Sequence, residues 1–222
     1  MARGDEPIVV AAVPVTMSGG RVIEEDGVRV EMLTAARYAE EFAVYSAFVS
    51  SKHCCCIFPL SMGESAAENA KKKGRWPEDK RSLGAVAVDL ATDKVLGIVQ
   101  GAGHGHPCDM HAPKRDEVYV EHLAVSAGAR GKGVGTKLLR WVEAEARARG
   151  ARTLSLAVIR GNPAQRLYER FGFETKREGC CDDAIGCCIV TWLMGRPYGL
   201  CHGRWGADTM YKALVDEPRR PA

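Results

Sequence analysis

The sequence lacks any apolar run that approaches the roughly 18 residues needed to cross a membrane as a helix. It also lacks a recognisable targeting segment. Within residues 1–15, Asp5, Glu6 and Pro7 stand before the apolar stretch. This order is unlike a secretory signal and unlike an acid-poor transit peptide. We therefore expect a soluble, intracellular protein of the cytoplasm, with an organelle left open, and no membrane partner.

A large charge of either sign is also missing. The 31 Lys and Arg residues exceed the 28 Asp and Glu residues by three, which gives a formal net charge of +3. Proteins that bind nucleic acid depend on many phosphate contacts, and an excess this small does not indicate them. The charge balance instead favours a smaller negative partner, such as a cofactor phosphate or an acidic ligand.

The nine cysteines lack the spacing of a disulfide framework and stand mostly in tight runs. Adjacent cysteines rarely bridge each other, and no secretory signal precedes them, so reduced thiols are the better interpretation. The runs are Cys54-Cys55-Cys56, Cys180-Cys181 and Cys187-Cys188.

The organisation along the chain predicts one domain with two extensions. The 222 residues are 46% hydrophobic and 27% charged, an ordinary globular balance, and they contain no internal repeat. Residues 1–27 lack sustained periodicity, and residues 196–222 are rich in Gly, Arg and aromatics with weak patterning. We interpret these two segments as N- and C-terminal extensions and residues 28–195 as the domain.

Hydrophobic periodicity predicts an α/β protein. A helix that separates two buried strands at the centre predicts a parallel βαβ unit, and the short link between the second and third strands predicts an antiparallel hairpin. The predicted strands are 28–33, 83–90, 95–100, 118–125, 153–159, 173–177 and 185–194, and the predicted helices are 35–50, 64–73, 133–149 and 162–172.

The most informative stretch is a strand that ends in a glycine-rich turn. Glu121-His122-Leu123-Ala124-Val125 runs into Ala129-Arg130-Gly131-Lys132-Gly133-Val134-Gly135-Thr136, which opens a predicted helix. Glycines let the backbone approach a ligand closely, and a helix start offers free N–H groups with a partial positive charge. With the charges of Arg130 and Lys132 added, the turn is fitted to bind a pyrophosphate.

Two common phosphate motifs fail on spacing. A dinucleotide fingerprint that starts at Gly131 requires glycine where Thr136 stands, and one that starts at Gly133 requires glycine where Leu138 stands. A P-loop requires Ser or Thr after the Gly-Lys pair, but Gly133 follows Lys132.

The segment does resemble the acetyl-CoA signature of the GNAT superfamily, Arg/Gln-x-x-Gly-x-Gly/Ala, at Arg130, Gly133 and Gly135. Leu123-Ala124-Val125 precedes it, as is frequent in that family. About 30 residues later, Asn162-Pro163-Ala164-Gln165-Arg166-Leu167-Tyr168-Glu169-Arg170-Phe171-Gly172-Phe173 resembles the second signature, an Asn, a Leu-Tyr pair and Gly-Phe. The resemblance covers roughly residues 28–195.

The resemblance implies a GNAT fold, a central mixed, mostly antiparallel sheet of about six to seven strands with helices on both faces. It also implies acetyl-CoA as co-substrate, with no metal. The residues that it implies for acetyl-CoA binding are Leu123, Ala124, Val125, Arg130, Gly131, Lys132, Gly133, Val134, Gly135, Thr136, Asn162 and Tyr168.

The implied mechanism is direct attack of an amine on the thioester. Because strand side chains alternate, Tyr119, Glu121 and Leu123 are expected on one face and His122 on the other. In the family that face borders the substrate channel, so Glu121 is the candidate general base, and Tyr168 is the candidate acid for the thiolate. Asn162 is expected to cap its helix and to contact the pantetheine arm.

Two other clusters are weaker. His104, His106, Cys108 and His111 lie in one loop at spacings that could bind zinc, but a loop beside the substrate channel is the preferred interpretation. The basic run from Lys71 to Arg75 is interpreted as a solvated surface.

The sequence thus predicts an acetyl-CoA-dependent N-acetyltransferase. The acceptor is an amine-bearing small molecule, peptide or protein that the sequence does not identify, and nucleic acid is not expected. The alternative is a GNAT-fold subunit with a structural or interaction role in a larger assembly, and a homodimer stays open.

Overall fold

The computed structural model describes residues 21–50, 65–106, 111–159, 161–175 and 207–214. Within these ranges the chain forms one mixed sheet with helices on both faces. The strands are β1 Ile23–Glu25, β2 Val28–Met32, β3 Gly84–Asp89, β4 Val95–Ala102, β5 Glu117–Val125, β6 Thr153–Ile159, β7 Glu174–Thr175 and β8 Ala207–Ala213. The helices are α1 Tyr38–Ser50, α2 Ala66–Gly74, α3 Glu78–Arg81, α4 Val134–Ala148 and α5 Gln165–Arg170.

The strand order of the sheet is β1-β2-β3-β4-β5-β6-β8-β7. Every neighbouring pair is antiparallel except β5 and β6, which are parallel and are joined by the crossover helix α4. The predicted α/β class and the mixed, mostly antiparallel sheet are therefore confirmed. The described part of the chain holds eight strands, more than the six to seven expected.

The two faces of the sheet carry separate cores. Along β3, Ala85 and Ala87 pack in the core beneath α4, whereas Val86 and Val88 pack in the core beneath α1. Because both faces of β3 are buried, its sequence is a nearly continuous apolar run. The predicted apolar stripe of α4 is confirmed, since each of its members is at most 1% exposed; these are Val134, Leu138, Trp141, Val142 and Ala146.

Helix α2 begins with a capping box that its sequence encodes locally. The Ser65 hydroxyl accepts a hydrogen bond from the Glu68 N–H, while the Glu68 carboxylate accepts one from the Ser65 N–H at 2.7 Å. The basic run on this helix departs from our interpretation of it as a solvated surface. Lys71 and Lys72 are exposed, but Lys73 is only 3% exposed because its side chain turns inward under the helix.

A β-bulge interrupts the pairing of β4 with β5. Gln100 pairs with His122 and Gly101 pairs with Val120, so Glu121 is the extra residue on β5. The bulge shifts the alternation of side chains by one residue, and Val120 and Leu123 therefore pack against the same core. The expectation that Tyr119, Glu121 and Leu123 share one face, with His122 opposite, is wrong for this reason.

The C-terminal boundary of the domain also differs from the prediction. Strand β8 lies in the segment 196–222 that we interpreted as an extension, yet it pairs with β6 along seven residues and lies between β6 and β7. Met210 at its centre is fully buried. At the other end, β1 lies inside the predicted N-terminal extension and pairs with β2. Sheet pairing therefore extends the domain in both directions.

Other predictions fall partly or wholly outside the described residues. Of the strand predicted at 173–177 the structure describes residues 173–175 and forms a strand at Glu174–Thr175. The strand predicted at 185–194, the three cysteine runs and Cys108 lie outside the described ranges. The helix predicted from Asn162 begins at Gln165, three residues later. It ends at Arg170, and its C-cap Phe171 precedes the left-handed Gly172, which was expected to terminate it. No helix among the described residues is long and apolar enough to span a membrane.

Candidate active site

The site is organised by two parallel strands that separate. β5 pairs with β6 from Glu117↔Thr153 to Val120↔Leu156, and the register ends there. Both strands continue, β5 to Val125 and β6 to Ile159, with β4 beside the first and β8 beside the second. Among the described residues, the edge of β5 at 122–125 that is turned toward β6 thus has no neighbouring strand. An extended polar ligand can pair with such an edge.

The glycine-rich turn follows directly from this open edge. After β5, a 3-10 turn at Ala127–Ala129 leads to Gly131 and Gly133, whose φ angles are +77° and +75°. These left-handed conformations strain any residue with a Cβ, which is the physical reason for glycine at both positions. At Gly131 an added Cβ would also meet no atom within 4 Å, so the backbone there is open.

The start of α4 has N–H groups available for a ligand. Gly133 is its N-cap and has no side chain with which to cap it, and the first intrahelical bond recorded runs from the Lys137 N–H to the Gly133 carbonyl at 3.1 Å. The N–H groups of the first turn are therefore uncapped. Together with the positive end of the helix dipole they suit an anion such as phosphate.

Two cations flank this turn, and a third is already paired. Arg130 and Lys132 are exposed, and the Arg130 side chain donates to the Val125 carbonyl at 3.3 Å. Lys137 is only 4% exposed, and its Nζ lies 2.8 Å from the Asp26 carboxylate in the turn between β1 and β2. The exposed pair is thus available to a ligand, whereas Lys137 ties the turn to the first hairpin.

Gly135 has a different role from the other glycines. It lies inside the first turn of α4, where an added Cβ would stand 3.0 Å from Leu167 Cδ2 of α5 and 3.8 Å from Val125 Cγ2. The glycine therefore allows close packing of α4 against α5 and the end of β5. Its neighbour Val134 is buried and Thr136 is half-buried. The signature residues from Val134 onward therefore pack inside the protein, whereas residues 130–133 form an exposed turn.

The second signature lies on the same side of the sheet as α4. The Asn162 side chain accepts a hydrogen bond from the Ala164 N–H at 3.0 Å, which caps the turn that leads into α5. Tyr168 is 8% exposed in the core beneath α4, and its ring meets Phe173 edge-on at 6.0 Å. Asn162 thus caps the turn before α5 but is not the helix N-cap that we expected, because that position falls at Ala164.

On the opposite side, Glu121 contacts a lysine that we did not identify from the sequence. Lys80 of α3 donates to Glu121 Oε1 at 2.8 Å, and the two side chains are 12% and 9% exposed. Lys80 Nζ also lies 4.5 Å from the centroid of the Trp76 ring. The candidate base is therefore held in an ion pair of which only a small part is exposed to solvent. The two members are 41 positions apart in the chain, so no local sequence pattern indicates their contact.

A second, more deeply buried ion pair lies beside the first. Lys73 Nζ is 3.2 Å from Glu41 Oε1, and both side chains are 3% exposed. Burial is the main influence on each: it raises the pKa of Glu41 and lowers the pKa of Lys73, and the partner's charge opposes the shift in both cases. Lys73 also lies 4.9 Å from the Trp76 ring, so this indole contacts the lysines of both pairs.

His122 is a neutral neighbour of these charges. Burial, and then the positive charges of Lys73 and Lys80, lower its pKa to about 3. Its ring packs against Tyr45 of α1 with centroids 4.9 Å apart. Because the imidazole does not gain a proton near neutral pH, the structure favours a packing role for His122.

A cavity of about 340 Å³ opens on the α2 side of this cluster. Its lining is mostly basic, and Trp76, whose ring Lys80 contacts, forms part of the wall. The lining residues are Glu68, Lys71, Lys72, Arg75 and Trp76.

The histidines of the 101–116 loop contact separate partners instead of one another. The described residues hold no group of three or more His, Cys, Asp or Glu side chains that could bind a metal ion together. The contacts are His104 Nδ1 to the Pro113 carbonyl at 3.1 Å, His106 Nε2 to Asp79 at 2.7 Å and His111 Nε2 to Glu117 at 2.7 Å.

The parallel strands that separate, the glycine turn before α4 and the capped turn before α5 belong to a fold that matches solved GNAT structures. Residues 58–173, just over half of the chain, match the model of the Acetyltransferase (GNAT) family, and the chain belongs to that family. The resemblance stated from the two signatures is thereby confirmed.

Among curated proteins, mycothiol acetyltransferase of Corynebacterium glutamicum is 41% identical over 69 residues. That match covers 31% of this chain, and the chain spans 23% of the length of the relative. The region in common is therefore a part of that longer protein.

Solved structures share the fold. A GCN5-related N-acetyltransferase from Kribbella flavida is 21% identical with a TM-score of 0.59, over 85% of this chain and 98% of the other. The structure of yncA from Salmonella typhimurium with its cofactor acetyl-CoA is 20% identical with a TM-score of 0.59, over 89% of this chain and 99% of the other.

Proposed function

We propose that the chain is an N-acetyltransferase that moves the acetyl group of acetyl-CoA to a primary amine by direct attack. One observation carries the proposal, the arrangement around the end of β5. Among the described residues, a strand edge at 122–125 with no neighbouring strand on the side of β6 leads into a turn with two left-handed glycines, two exposed cations and an uncapped helix start.

This arrangement fits acetyl-CoA, which is a substrate of the reaction. The amides of its pantetheine arm match the open edge at Leu123, Ala124 and Val125, where they would add a short strand. Its pyrophosphate matches the turn from Arg130 to Thr136. The structural likeness to yncA, whose structure contains acetyl-CoA, supports the same assignment.

Glu121 is the proposed general base. An amine with a pKa near ~10.4 is protonated at neutral pH and must lose a proton before it can attack a carbonyl carbon. Glu121 lies at the bulge where β5 begins to separate from β6, so its carboxylate is next to the point where the open edge starts. The Lys80 ammonium lies 2.8 Å from Glu121 Oε1 and holds the carboxylate at this position.

Tyr168 is the proposed acid for the leaving group. A coenzyme A thiolate has a pKa near ~8.5, so a phenol beside it can supply the proton. Tyr168 lies in the core beneath α4, on the helix whose Leu167 packs against Gly135. The capped turn at Asn162 fixes the start of the segment that carries Tyr168, and the Asn162 side chain is the proposed contact to the pantetheine arm.

The acceptor is proposed only as a class, a primary amine on a small molecule, a peptide or a protein. The cavity beside α2 is lined by three exposed cations, Lys71, Lys72 and Arg75, against the single carboxylate of Glu68. A polycationic acceptor would be repelled there, so an acceptor with a single amine or with acidic groups is the better match.

Isothermal titration of the full chain with acetyl-CoA tests the proposal. The wild type is compared with Arg130→Glu, which reverses the charge of an exposed cation beside the glycine turn. We expect the reversal to weaken binding by about tenfold or more, or roughly 1.4 kcal/mol.

The matched control is Arg115→Glu, another exposed arginine at the opposite end of β5, about 30 Å of strand away. Equal weakening in both variants would point to general electrostatics and not to a phosphate site. A folded wild-type chain that does not bind acetyl-CoA would overturn the enzyme assignment and favour the structural or interaction subunit.

A further inference from the structure

The amine of Lys80 occupies the position that the proposed mechanism gives to an acceptor. Its Nζ lies within hydrogen-bond distance, 2.8 Å, of the Glu121 carboxylate that is the proposed base. The side chain is 12% exposed and its ammonium lies 4.5 Å from the Trp76 ring centroid. A protein amine is thus already held where a substrate amine would have to give up its proton.

The backbone of α3 is fixed so that Lys80 points to this position. The Gln100 side chain, 2% exposed, donates to the Lys80 carbonyl at 3.0 Å from strand β4. The Arg149 side chain at the end of α4 donates to the Asp79 carbonyl at 2.7 Å and to the Ser82 hydroxyl at 2.8 Å. The short helix is therefore tied to the strand and to the helix that frame the site.

Neighbouring lysines do not share this geometry. Lys73 is paired with Glu41 at 3.2 Å, and Lys71 is exposed on α2. Lys80, by contrast, donates a hydrogen bond to Glu121. It is also less enclosed than Lys73, since 12% of its side chain is exposed against 3%.

We propose that Lys80 is itself an acetyl acceptor, so that the chain acetylates its own Lys80 from acetyl-CoA when no other amine is present. The inference rests on the proposed function, because it uses the same thioester and the same base. It adds a modification site and a protein-lysine acceptor to that function.

The step balances without any further reactant. Glu121 takes one proton from the Lys80 ammonium, and neutral Nζ attacks the carbonyl carbon of the thioester, forming the C–N bond. The C–S bond breaks with its electron pair on sulfur, and Tyr168 protonates the thiolate. The nitrogen releases its second proton to solvent, from which Tyr168 regains its own. In sum, a lysine ammonium and acetyl-CoA give N-acetyllysine, coenzyme A and one proton.

The product no longer supports the ion pair. An acetylated lysine is uncharged, so the contact between Lys80 and Glu121 loses its Coulombic part and the acetyl group fills the acceptor position. The reaction is therefore limited to one acetyl group per chain at this site, in contrast to turnover with an added amine.

The test is incubation of the full chain with acetyl-CoA and no added amine, followed by intact-mass measurement and peptide mapping over time. We expect one acetyl group on Lys80, appearing faster than any on Lys71, the exposed reference lysine. Glu121→Gln should slow labelling of Lys80 by about 100-fold, the lower range of general-base catalysis. Lys80→Arg keeps the positive charge and should abolish the fast phase.

Arg130→Glu provides a second variant that leaves the Lys80 pocket intact and should slow labelling through weaker acetyl-CoA binding. If Lys80 stays unmodified while titration shows acetyl-CoA binding, the inference fails and the proposed function stands. If Lys80 reacts no faster than Lys71, or equally fast in Glu121→Gln, the labelling is uncatalysed and the inference also fails. If acetyl-CoA does not bind, both fall together.

Discussion

Lys73 Nζ lies 3.2 Å from Glu41 Oε1, and each side chain is only 3% exposed, so α1 and α2 are joined by a buried ion pair. Removing water from two charges is costly, and their mutual attraction offsets that cost only while both are present. The pair therefore specifies how α2 docks on α1 more than it adds stability.

We predict strongly unequal effects of single and double changes at this pair. Glu41→Leu or Lys73→Met alone should lower the free energy of unfolding by about 3 kcal/mol, because each leaves one buried charge without its partner. The double variant should lose far less than the sum of the two. Urea unfolding of the four proteins measures the cycle, with Lys71→Met on the exposed face of α2 as control. Additive losses would contradict a buried coupled pair.

His122 makes stability depend on acidity. Burial and nearby lysines lower the pKa of His122 to about 3, whereas in the unfolded chain it is near ~6.5. Between these values the unfolded state binds a proton that the folded state does not, so the free energy of unfolding falls as pH falls from about 6.5 toward 3.

His122→Phe should reduce the fall in the free energy of unfolding at low pH, because phenylalanine fills a similar position beside Tyr45 and does not titrate. The difference between wild type and variant should change by at most about 1.4 kcal/mol per pH unit. Urea unfolding at pH 7, 6 and 5 measures it. The difference between the two proteins is used because Glu41 also titrates. Its raised pKa makes the free energy of unfolding rise as pH falls, which is opposite to the effect of His122. Parallel curves would show that His122 is not held neutral.

Gly131 should be sensitive to the kind of side chain that replaces it. Its φ is +77° with open space around it, so strain and not collision opposes a side chain. Gly131→Val should distort the turn at a cost of about 1–2 kcal/mol, whereas Gly131→Asn, which tolerates this conformation better, should cost less.

Titration with acetyl-CoA compares the two variants. We expect the dissociation constant for acetyl-CoA to rise about tenfold in Gly131→Val and much less in Gly131→Asn, because the valine variant strains the turn more. Equal binding by both variants and the wild type would show that the left-handed turn is not part of the cofactor site. Gly135 is a less informative position, because a side chain there would also collide with Leu167.

Features encoded within a few residues could be predicted from the sequence. The stripe of α4 follows from the helical repeat, and Gly131, Gly133 and Gly172 occupy backbone conformations that favour glycine. Asn162 caps its turn through a bond to an N–H only two residues away. These interactions form within one segment, so local chemistry is sufficient to predict them.

Features that depend on pairing of distant segments could not. The bulge that redirects Glu121 exists because Gly101 and Gln100 of β4 shift register against β5. Strand β8 has weak patterning of its own, and its place between β6 and β7 comes from hydrogen bonds to strands more than 30 residues earlier.

By itself, the sequence determined the family, the glycine turn and the residues that open α4, because each depends on backbone conformations and spacings within about a dozen positions. Only the tertiary structure decided which charges meet. The contact of Lys80 with Glu121, and of Lys73 with Glu41, requires α1, α2 and α3 to pack over the bulged strand. These pairs affect stability because they are buried: a charge removed from water needs a partner, and chain order alone does not provide one.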